Sequence, residues 1–527
     1  MDGGGTLRGR ALVEALRAPS CYGHACDAVE VVETHLSWVL LTGPFAYKVK
    51  KPVDLGFADF STLAKRRRCC ERELALNRRL APQLYRDVVA VTGSLVAPRV
   101  TPLGGPGPAL EYAVRMVQFP QYLLAARQLE AGRLTPRHFD ALAADVAAFH
   151  RAAPRAGSRS RHGAPAAARA AARETFAQLH ALPGLEGRRA ALDRLERWSE
   201  ARFPALEGVL RERRREGRVR ECHGDLHLGN LVLLDDRLVM FDCIEFNPAL
   251  RWIDTASETA FTLMDLRRRG AGTLASRFLS AWLEASGDYG ALRVLDYFLV
   301  YRALVRAKVA LIRAAQCGPG TGTRAAAQAE AREYLDLALD FTHPRRPRLV
   351  ITHGVAGSGK STAAQALVDG ESLVRVRSDV ERKRLHGLAP LARSGSPLAG
   401  GLYGEAATAR SYGALEQRAA DILQAGYGVV VDATFLSRAQ RAPFAALARR
   451  LDCPFRILAC TASRAVLRRR IASRTGDPSE ASAAVLDAQL RAVEPPEAAE
   501  SAALMHVNAP ARSRPTLKAS FPPRSAP

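Results

Sequence analysis

The sequence predicts a two-module chain, an α+β two-lobed N-terminal module followed by an α/β module on a doubly wound parallel sheet. Three observations lead there. A chain of 527 residues is longer than one hydrophobic core usually serves, so two or three domains are expected. The segment His223-Gly224-Asp225-Leu226-His227-Leu228-Gly229-Asn230 sets an Asp and an Asn five residues apart. The segment Gly354-Val355-Ala356-Gly357-Ser358-Gly359-Lys360-Ser361 spells G-x-x-x-x-G-K-[ST] directly after an apolar run, Leu349-Val350-Ile351.

The elements follow in order. Val31 to Leu41 and Phe45 to Val53 are β-rich runs parted by Thr42-Gly43-Pro44, which predicts a hairpin. Strong helix formers run from Thr62 to Leu80 and stop before Pro82, and Val88 to Val91 and Tyr112 to Val117 read as further strands. Pro136 to His150 and Arg188 to Arg215 are helical, with an Ala/Arg/Gly-rich segment, Ala153 to Ala172, expected as a flexible insertion between them. Short strands at Leu231 to Leu234 and Leu238 to Phe241 flank Asp235-Asp236, and long helices are expected from about Ile253 to Gln316. After the break at Cys317 to Gly322 comes one more helix, about Arg324 to Leu339, and then a linker at Thr342 to Pro347. Arg348 to His353 is the strand before the glycine-rich loop, and Ser361 to Leu367 its helix. Leu373 to Val376, Val429 to Val431 and Phe455 to Ala459 are apolar strands at βαβ spacing. The Pro/Ser/Arg-rich end from Asn508 is expected to be disordered. The expected organisation is residues 25–320, a helix and linker at 321–347, a second module at 348–508 and a tail at 509–527.

Composition narrows the class. With 48% hydrophobic and 24% charged residues the chain is globular. Its longest apolar stretches, such as Tyr297 to Ala303, fall well short of the roughly 20 residues of a bilayer span. Met1 to Arg10 lacks an apolar signal region, so a cytoplasmic location is expected. Nine cysteines include no C-x-x-C, which reads as reduced packing residues. The net charge of +23 is carried mainly by Arg, in stretches such as Arg151 to Arg173 and Arg211 to Arg220. These lack interleaved aromatics and read as solvated surface, leaving nucleic acid an open partner for the second module only.

The first motif resembles the catalytic loop of the kinase-like fold. There Asp225 would accept or orient the proton of an acceptor hydroxyl, while Asn230 and Asp242 would hold Mg²⁺. Asp242 follows a strand in Phe241-Asp242-Cys243, and Lys48 in Ala46-Tyr47-Lys48-Val49 has a helix carboxylate to pair with in Glu73. Lys50 rivals Lys48, because residues two apart on a strand share a face, and Glu71 rivals Glu73. H-G-D-x-x-x-x-N in place of H-R-D makes the segment from about 25 to 320 similar to the aminoglycoside phosphotransferase family. That resemblance implies small-molecule hydroxyl acceptors and assigns Asp254 as a brace of the catalytic loop. The family's breadth leaves the acceptor open.

In the second motif the backbone N–H groups of Gly354, Val355, Ala356, Gly357, Ser358 and Gly359 would cradle phosphates. Lys360 would reach the β and γ oxygens of ATP, Ser361 would ligate Mg²⁺ and Thr362 would complete the cofactor set. Asp379 after the second strand is placed as a hydroxyl base, with Arg382 to hold the acceptor's charge. Asp432 ends another strand near the metal, and Arg470 and Arg474 are candidate lid arginines. These residues resemble P-loop kinases related to polynucleotide 5′-kinase and gluconate kinase, across about 348 to 500. The alternatives are an ATPase module that regulates the first module, and a nucleic-acid-associated ATP-binding protein.

Overall fold

The computed structural model describes residues 3–34, 36–56, 58–318, 320–396, 400–474, 477–497, 500 and 503–508. The expectation for 509–527 lies outside the described residues. The chain divides into two compact units, one running to Gly270 and resuming at Val294–Thr342, the other comprising Ala271–Arg293 and the chain from His343 onward.

The first unit opens with helix α1 (Gly3–Ala15) and strands β1 (Glu30–Glu33), β2 (Ser37–Leu41) and β3 (Phe45–Lys50). Val31 to Leu41, expected as one strand, is two. Thr34 ends the first by accepting the Ser37 amide on its hydroxyl at 2.9 Å, a local bond that turns the chain. Helix α2 (Leu63–Asn77) follows, capped by the Thr62 hydroxyl, then β4 (Tyr85–Gly93), β5 (Pro98–Pro102) and β6 (Glu111–Val117). The antiparallel sheet has the order β1-β2-β3-β6-β4-β5. Strand periodicity sorts β3 onto two faces. Tyr47 and Val49 join Trp38 and Leu40 in one core. Ala46 joins Cys70 of α2 in the other, so Lys48 and Lys50, in phase with Ala46, lie on the α2 face.

Next come α3 (Ala125–Glu130), α4 (Pro136–Ala152), α5 (Pro165–Ala181) and α6 (Arg189–Arg215). Helix α5 corrects the expectation of a flexible insertion. Pro165 starts it, alanine favours it, and Ala172, Thr175, Phe176 and Leu179 give it a buried face. Then follow β7 (Val219–Glu221), β8 (Leu231–Leu234), β9 (Arg237–Met240), α7 (Pro248–Arg251), β10 (Trp252–Asp254) and α8 (Thr255–Arg268). Asp235 and Asp236, at φ 47° and 59°, make the two-residue turn of the β8–β9 hairpin, a conformation Asp tolerates better than most residues. Helix α9 (Gly272–Ser286) belongs to the second unit, and α10 (Leu292–Gln316) and α11 (Gly322–Phe341) complete the first.

In the second unit β11 (Leu349–His353), α12 (Lys360–Glu371), β12 (Val374–Arg377), α13 (Ser378–Leu385), α14 (Glu405–Gln424), β13 (Val429–Asp432), α15 (Arg438–Arg450), β14 (Phe455–Thr461), α16 (Arg464–Ala472), α17 (Ala483–Ala492) and β15 (Leu504–Asn508) follow in sequence. The strands form one parallel sheet in the order β12-β13-β11-β14-β15. The connection after β11 runs toward β12 and that after β13 crosses to β14 on the other side, so the crevice between the carboxyl ends of β11 and β13 is the topological switch point where such sheets bind ligands. Helix α9 covers the outer side of edge strand β12. Its Ser280 hydroxyl accepts the Arg375 amide at 3.0 Å, and Ser276 bonds Ser372 at 2.8 Å. Positions 276, 280 and 284 share one helix face, and Glu284 comes within 3.7 Å of Arg377. No described helix is long and apolar enough to cross a membrane.

Candidate active sites

The first site assembles on the α2 face of β3. Lys48 Nζ donates to Glu73 Oε1 at 2.9 Å and also pairs with Asp242. Lys50 does not replace it. It pairs with the other oxygen of Glu73 and, at 2.5 Å, with Glu245 three residues beyond Asp242. Both lysines thus share one carboxylate, which is fully buried. Glu71 is spent on an exposed i,i+4 pair with Arg67. Burial pushes the Lys48 ammonium down, but Asp242 and Glu73 outweigh it and its pKa stands well above the ordinary value. Asp242, though buried, is held below the usual carboxylate range by Lys48. Its φ of 64° is rare for a non-glycine residue, the kind of local strain found where a side chain must be aimed.

The loop between β7 and β8 carries the other groups. Asn230 Nδ2 donates to the Asp225 carbonyl at 2.9 Å and to its carboxylate at 3.1 Å. Burial pushes Asp225 up, but His227, 3.4 Å away, and Arg306 outweigh it and hold the carboxyl well below its ordinary range. The His223 ring is tied to the Phe241 carbonyl at 2.7 Å, which joins this loop to the Asp242 turn. Gly224 has φ 92°, and a Cβ there would stand 2.9 Å from the Leu250 carbonyl, so the middle position of H-G-D accepts glycine alone.

Asp254, expected to brace this loop, does something else. Its carboxylate takes a bidentate pair from Arg213 at 2.9 and 2.7 Å and caps α8 through the Ala256 amide. The bracing falls to one buried face of α8. Glu258 accepts the amides of His223 at 2.5 Å and Gly224 at 2.9 Å, Thr262 donates to the Leu226 carbonyl at 2.7 Å, and Asp265 accepts the Leu228 amide at 2.9 Å. Polar residues at 258, 262 and 265 on one face of a buried helix were the signal for these residues, since buried polar groups must be partnered.

Lys48, Asp225, Asn230 and Asp242 all line one cavity of about 1140 Å³. Val39, Ala46, Met116 and Phe241 give it an apolar wall. It is larger than a typical single-ligand site of roughly 300–1000 Å³, which gives room for two small molecules.

The second site is the turn from β11 into α12. Gly354, Gly357 and Gly359 have φ of 141°, 79° and 99°. A Cβ on Gly354 would lie 2.4 Å from the Cys460 carbonyl and 2.8 Å from Ser358 Oγ. Among the described residues that buried hydroxyl has no hydrogen-bond partner. Lys360 folds over the loop and donates to the Val355 carbonyl at 2.8 Å, and burial lowers its pKa against the opposing pull of Asp432 and Asp379. Ala356 donates its amide to Gln489 at 2.7 Å. Ser361 is half-buried and Thr362 exposed. A glycine cradle with an unpartnered buried hydroxyl, closed by an ammonium, suits a polyphosphate.

Around the loop, Asp432 is buried at the end of β13, with Arg377 at 3.9 Å. Asp379, in the first turn of α13, stands 3.6 Å from Arg382, whose guanidinium lies over the Tyr403 ring. Arg470 reaches the loop and donates to the Gly357 carbonyl at 3.2 Å, whereas Arg474 turns to Asp477 at 3.9 Å. Arg377, Tyr403 and Gln489 had no role in the sequence reading, because their place depends on which strand and helix ends meet. Gly354→Ala is expected to lower Tm, at a cost on the order of 1–3 kcal/mol, and to abolish thermal stabilisation of this unit by ATP. Melting with and without nucleotide checks this.

The comparisons with known proteins match the same two segments of the chain. Residues 60–295 match the phosphotransferase enzyme family and residues 349–496 an AAA domain. Lys48 lies ahead of the first match, so its placement rests on geometry. The uncharacterized protein Rv2004c of Mycobacterium tuberculosis (strain ATCC 25618 / H37Rv) is 30% identical over 470 residues, 87% of this chain and 91% of that one. Mb2027c of Mycobacterium bovis is related to the same extent. Among solved structures, amicoumacin kinase hAmiN in complex with AMP-PNP, Ca²⁺ and Ami is 14% identical with a TM-score of 0.39, over 63% of this chain and 94% of that one. A gluconokinase from Sinorhizobium meliloti 1021 is 23% identical with a TM-score of 0.23, over 32% of this chain and 86% of that one. The two domain matches make the protein a phosphotransferase in general class and imply ATP use. This chain belongs to the family of Rv2004c, and joins a kinase-like phosphotransferase domain to a P-loop domain of AAA type.

Proposed function

We propose that the chain carries two kinases, each moving the γ-phosphate of ATP to a hydroxyl. The observation that carries the reading is the Lys48–Glu73 pair set on the same cavity as Asp225, Asn230 and Asp242. Lys48, fixed by Glu73, would hold nucleotide phosphates. Asn230 and Asp242 would hold Mg²⁺, which supplies charge neutralisation at the phosphates when bound. Asp225, kept ionised by its neighbours, would orient the acceptor hydroxyl and take its proton. The acceptor of this module is a small molecule.

In the second module Gly354 to Gly359, Lys360 and Thr362 would hold ATP, with Ser361 and Asp432 on the Mg²⁺ side. Asp379 would serve as the hydroxyl base and Arg382 as the acceptor's charge partner. Arg470 would close on the loop through the Gly357 carbonyl, and Arg474, close enough for its charge to act on Lys360, would complete the lid. The acceptor is a small molecule or a polynucleotide 5′-hydroxyl.

The second reading, a P-loop ATPase that regulates the first module, needs no hydroxyl base. Asp379 beside Arg382 favours transfer over hydrolysis. The test uses full-length Asp225→Asn protein, labelled ATP, and a panel of sugars, sugar acids, nucleosides and 5′-hydroxyl oligonucleotides. Asp379→Asn in that background is expected to leave ATP affinity within about twofold and to cut transfer by roughly 10² or more. Hydrolysis as the sole activity, untouched by Asp379→Asn, would assign this module to nucleotide-dependent regulation instead.

A further inference from the structure

The cavity of the first unit is lined by one face of α10 as well as by the groups above. Tyr301, Val305, Lys308, Val309 and Ile312 all border it, at the three- and four-residue spacing of a single helical face. Arg306 anchors this helix to the catalytic loop, 3.3 Å from His227 Nε2. With a rise of about 1.5 Å per residue, the wall extends from Asp225 along Lys308 to Ile312. Helix α5 borders the same space with small side chains, Ala167, Ala168 and Ala171, and with Glu174.

The charges along this wall decide what it can receive. Of the bordering carboxylates, Glu33 pairs with Lys51, Asp242 with Lys48, Glu245 with Lys50 and Asp254 with Arg213. Glu174 already accepts a bond from Gln178 at 3.1 Å. Asp225 is held by His227 and Asn230, so among the described residues no cluster of uncommitted carboxylates awaits a polyamine. Lys308 is the opposite case: among the described residues it has no carboxylate within ion-pair distance. Burial pushes its ammonium down, and Glu174 offsets this only in part. A half-buried ammonium is costly unless an anion meets it.

We propose that the acceptor of the N-terminal module is an anionic hydroxyl compound with an apolar body, its anionic group held by Lys308 and its body laid on Tyr301, Val305, Val309 and Ile312. This rests on the kinase reading of the same cavity. Three probes with one apolar body test it: phenyl β-glucuronide, phenyl β-glucoside and phenyl β-glucosaminide, carrying negative, no and positive charge. Their affinities are measured by calorimetry on full-length Lys360→Ala protein holding Mg·AMP-PNP. The glucuronide is expected to bind about tenfold tighter than the glucosaminide. Lys308→Met should erase that difference and Lys308→Arg should keep it, with AMP-PNP affinity unchanged in both. Tighter binding of the glucosaminide, or a charge preference that survives Lys308→Met, overturns the proposal. Phosphorylation of aminated acceptors in preference to acidic ones overturns it while the kinase reading stands. The expected charge preference without transfer from Mg·ATP to any acceptor supports the anion site and sinks the kinase reading instead.

Discussion

Asp225→Asn is expected to lower phosphotransfer by the N-terminal module by roughly 10² to 10⁴, the usual cost of losing general acid–base help. ATP affinity should stay nearly constant, because Lys48, Asn230 and Asp242 remain. The isosteric change keeps an acceptor oxygen for the Asn230 amide, so the fold has little reason to shift. The pH profile gives a second readout. Burial raises Asp225, and His227 with Arg306 lower it further than burial raises it. Its carboxylate is therefore already the charged form throughout the neutral range, and is lost only as pH falls through its depressed value. The wild-type rate should show no acid limb from this group between about pH 5 and 7. A carboxylate that is so weak a base contributes more by aligning the hydroxyl than by pulling its proton early. Steady-state kinetics in the Lys360→Ala background, where the other module is silenced, measures both effects. An unchanged rate in Asp225→Asn removes the residue from its role.

Much of this arrangement was legible in the chain because two motifs fix their own geometry. A glycine-rich turn between an apolar strand and a helix specifies a phosphate cradle through backbone N–H groups, so Gly354 to Ser361 could be placed without tertiary information. Lys48 and Glu73 were legible as a pair, with Lys50 and Glu71 as rivals. The structure shows Glu73 serving Lys48 and Lys50 at once, a sharing that a linear reading presents as a choice. The loop braces were misread for a different reason. Asp254 was assigned through the family resemblance, whereas Glu258, Thr262 and Asp265 looked like scattered polar positions in a helix until their common face met the loop. Helix α5 was missed because alanine with arginine reads equally as loose chain or as helix, and only the partners of Phe176 and Leu179 decide. Helix α9 was recognised as a helix, but periodicity does not say which sheet a helix covers. Its Ser280 completes the hydrogen bonding of β12 and its Glu284 faces Arg377, so cleaving the chain near Pro344 would strip the phosphate-loop unit of both. Full-length point variants are the sounder way to separate the two activities.

Lys360→Ala is expected to remove the second module's ATP turnover by roughly 10² to 10³, the scale for losing one preorganised donor at a transferring group. Its ammonium folds over the loop onto the Val355 carbonyl, and its charge answers both Asp432 and Asp379. Without it the two carboxylates face incoming phosphates with less positive charge between them, so nucleotide affinity should fall as well as rate. Lys360→Arg should not restore activity. The Lys360 stem folds back so that its ammonium meets a backbone carbonyl, and the bulkier planar guanidinium of Arg is not equivalent on that path. Phosphotransfer that depends on Asp225 should survive both changes within about twofold, and Lys360→Ala combined with Asp225→Asn should leave no acceptor-dependent transfer. Product analysis of the four proteins, wild type, each single variant and the double, distinguishes two independent sites from one. If Lys360→Ala alone also eliminates the transfer that Asp225→Asn eliminates, the two loops serve a single reaction, and the reading of two kinases in one chain is wrong.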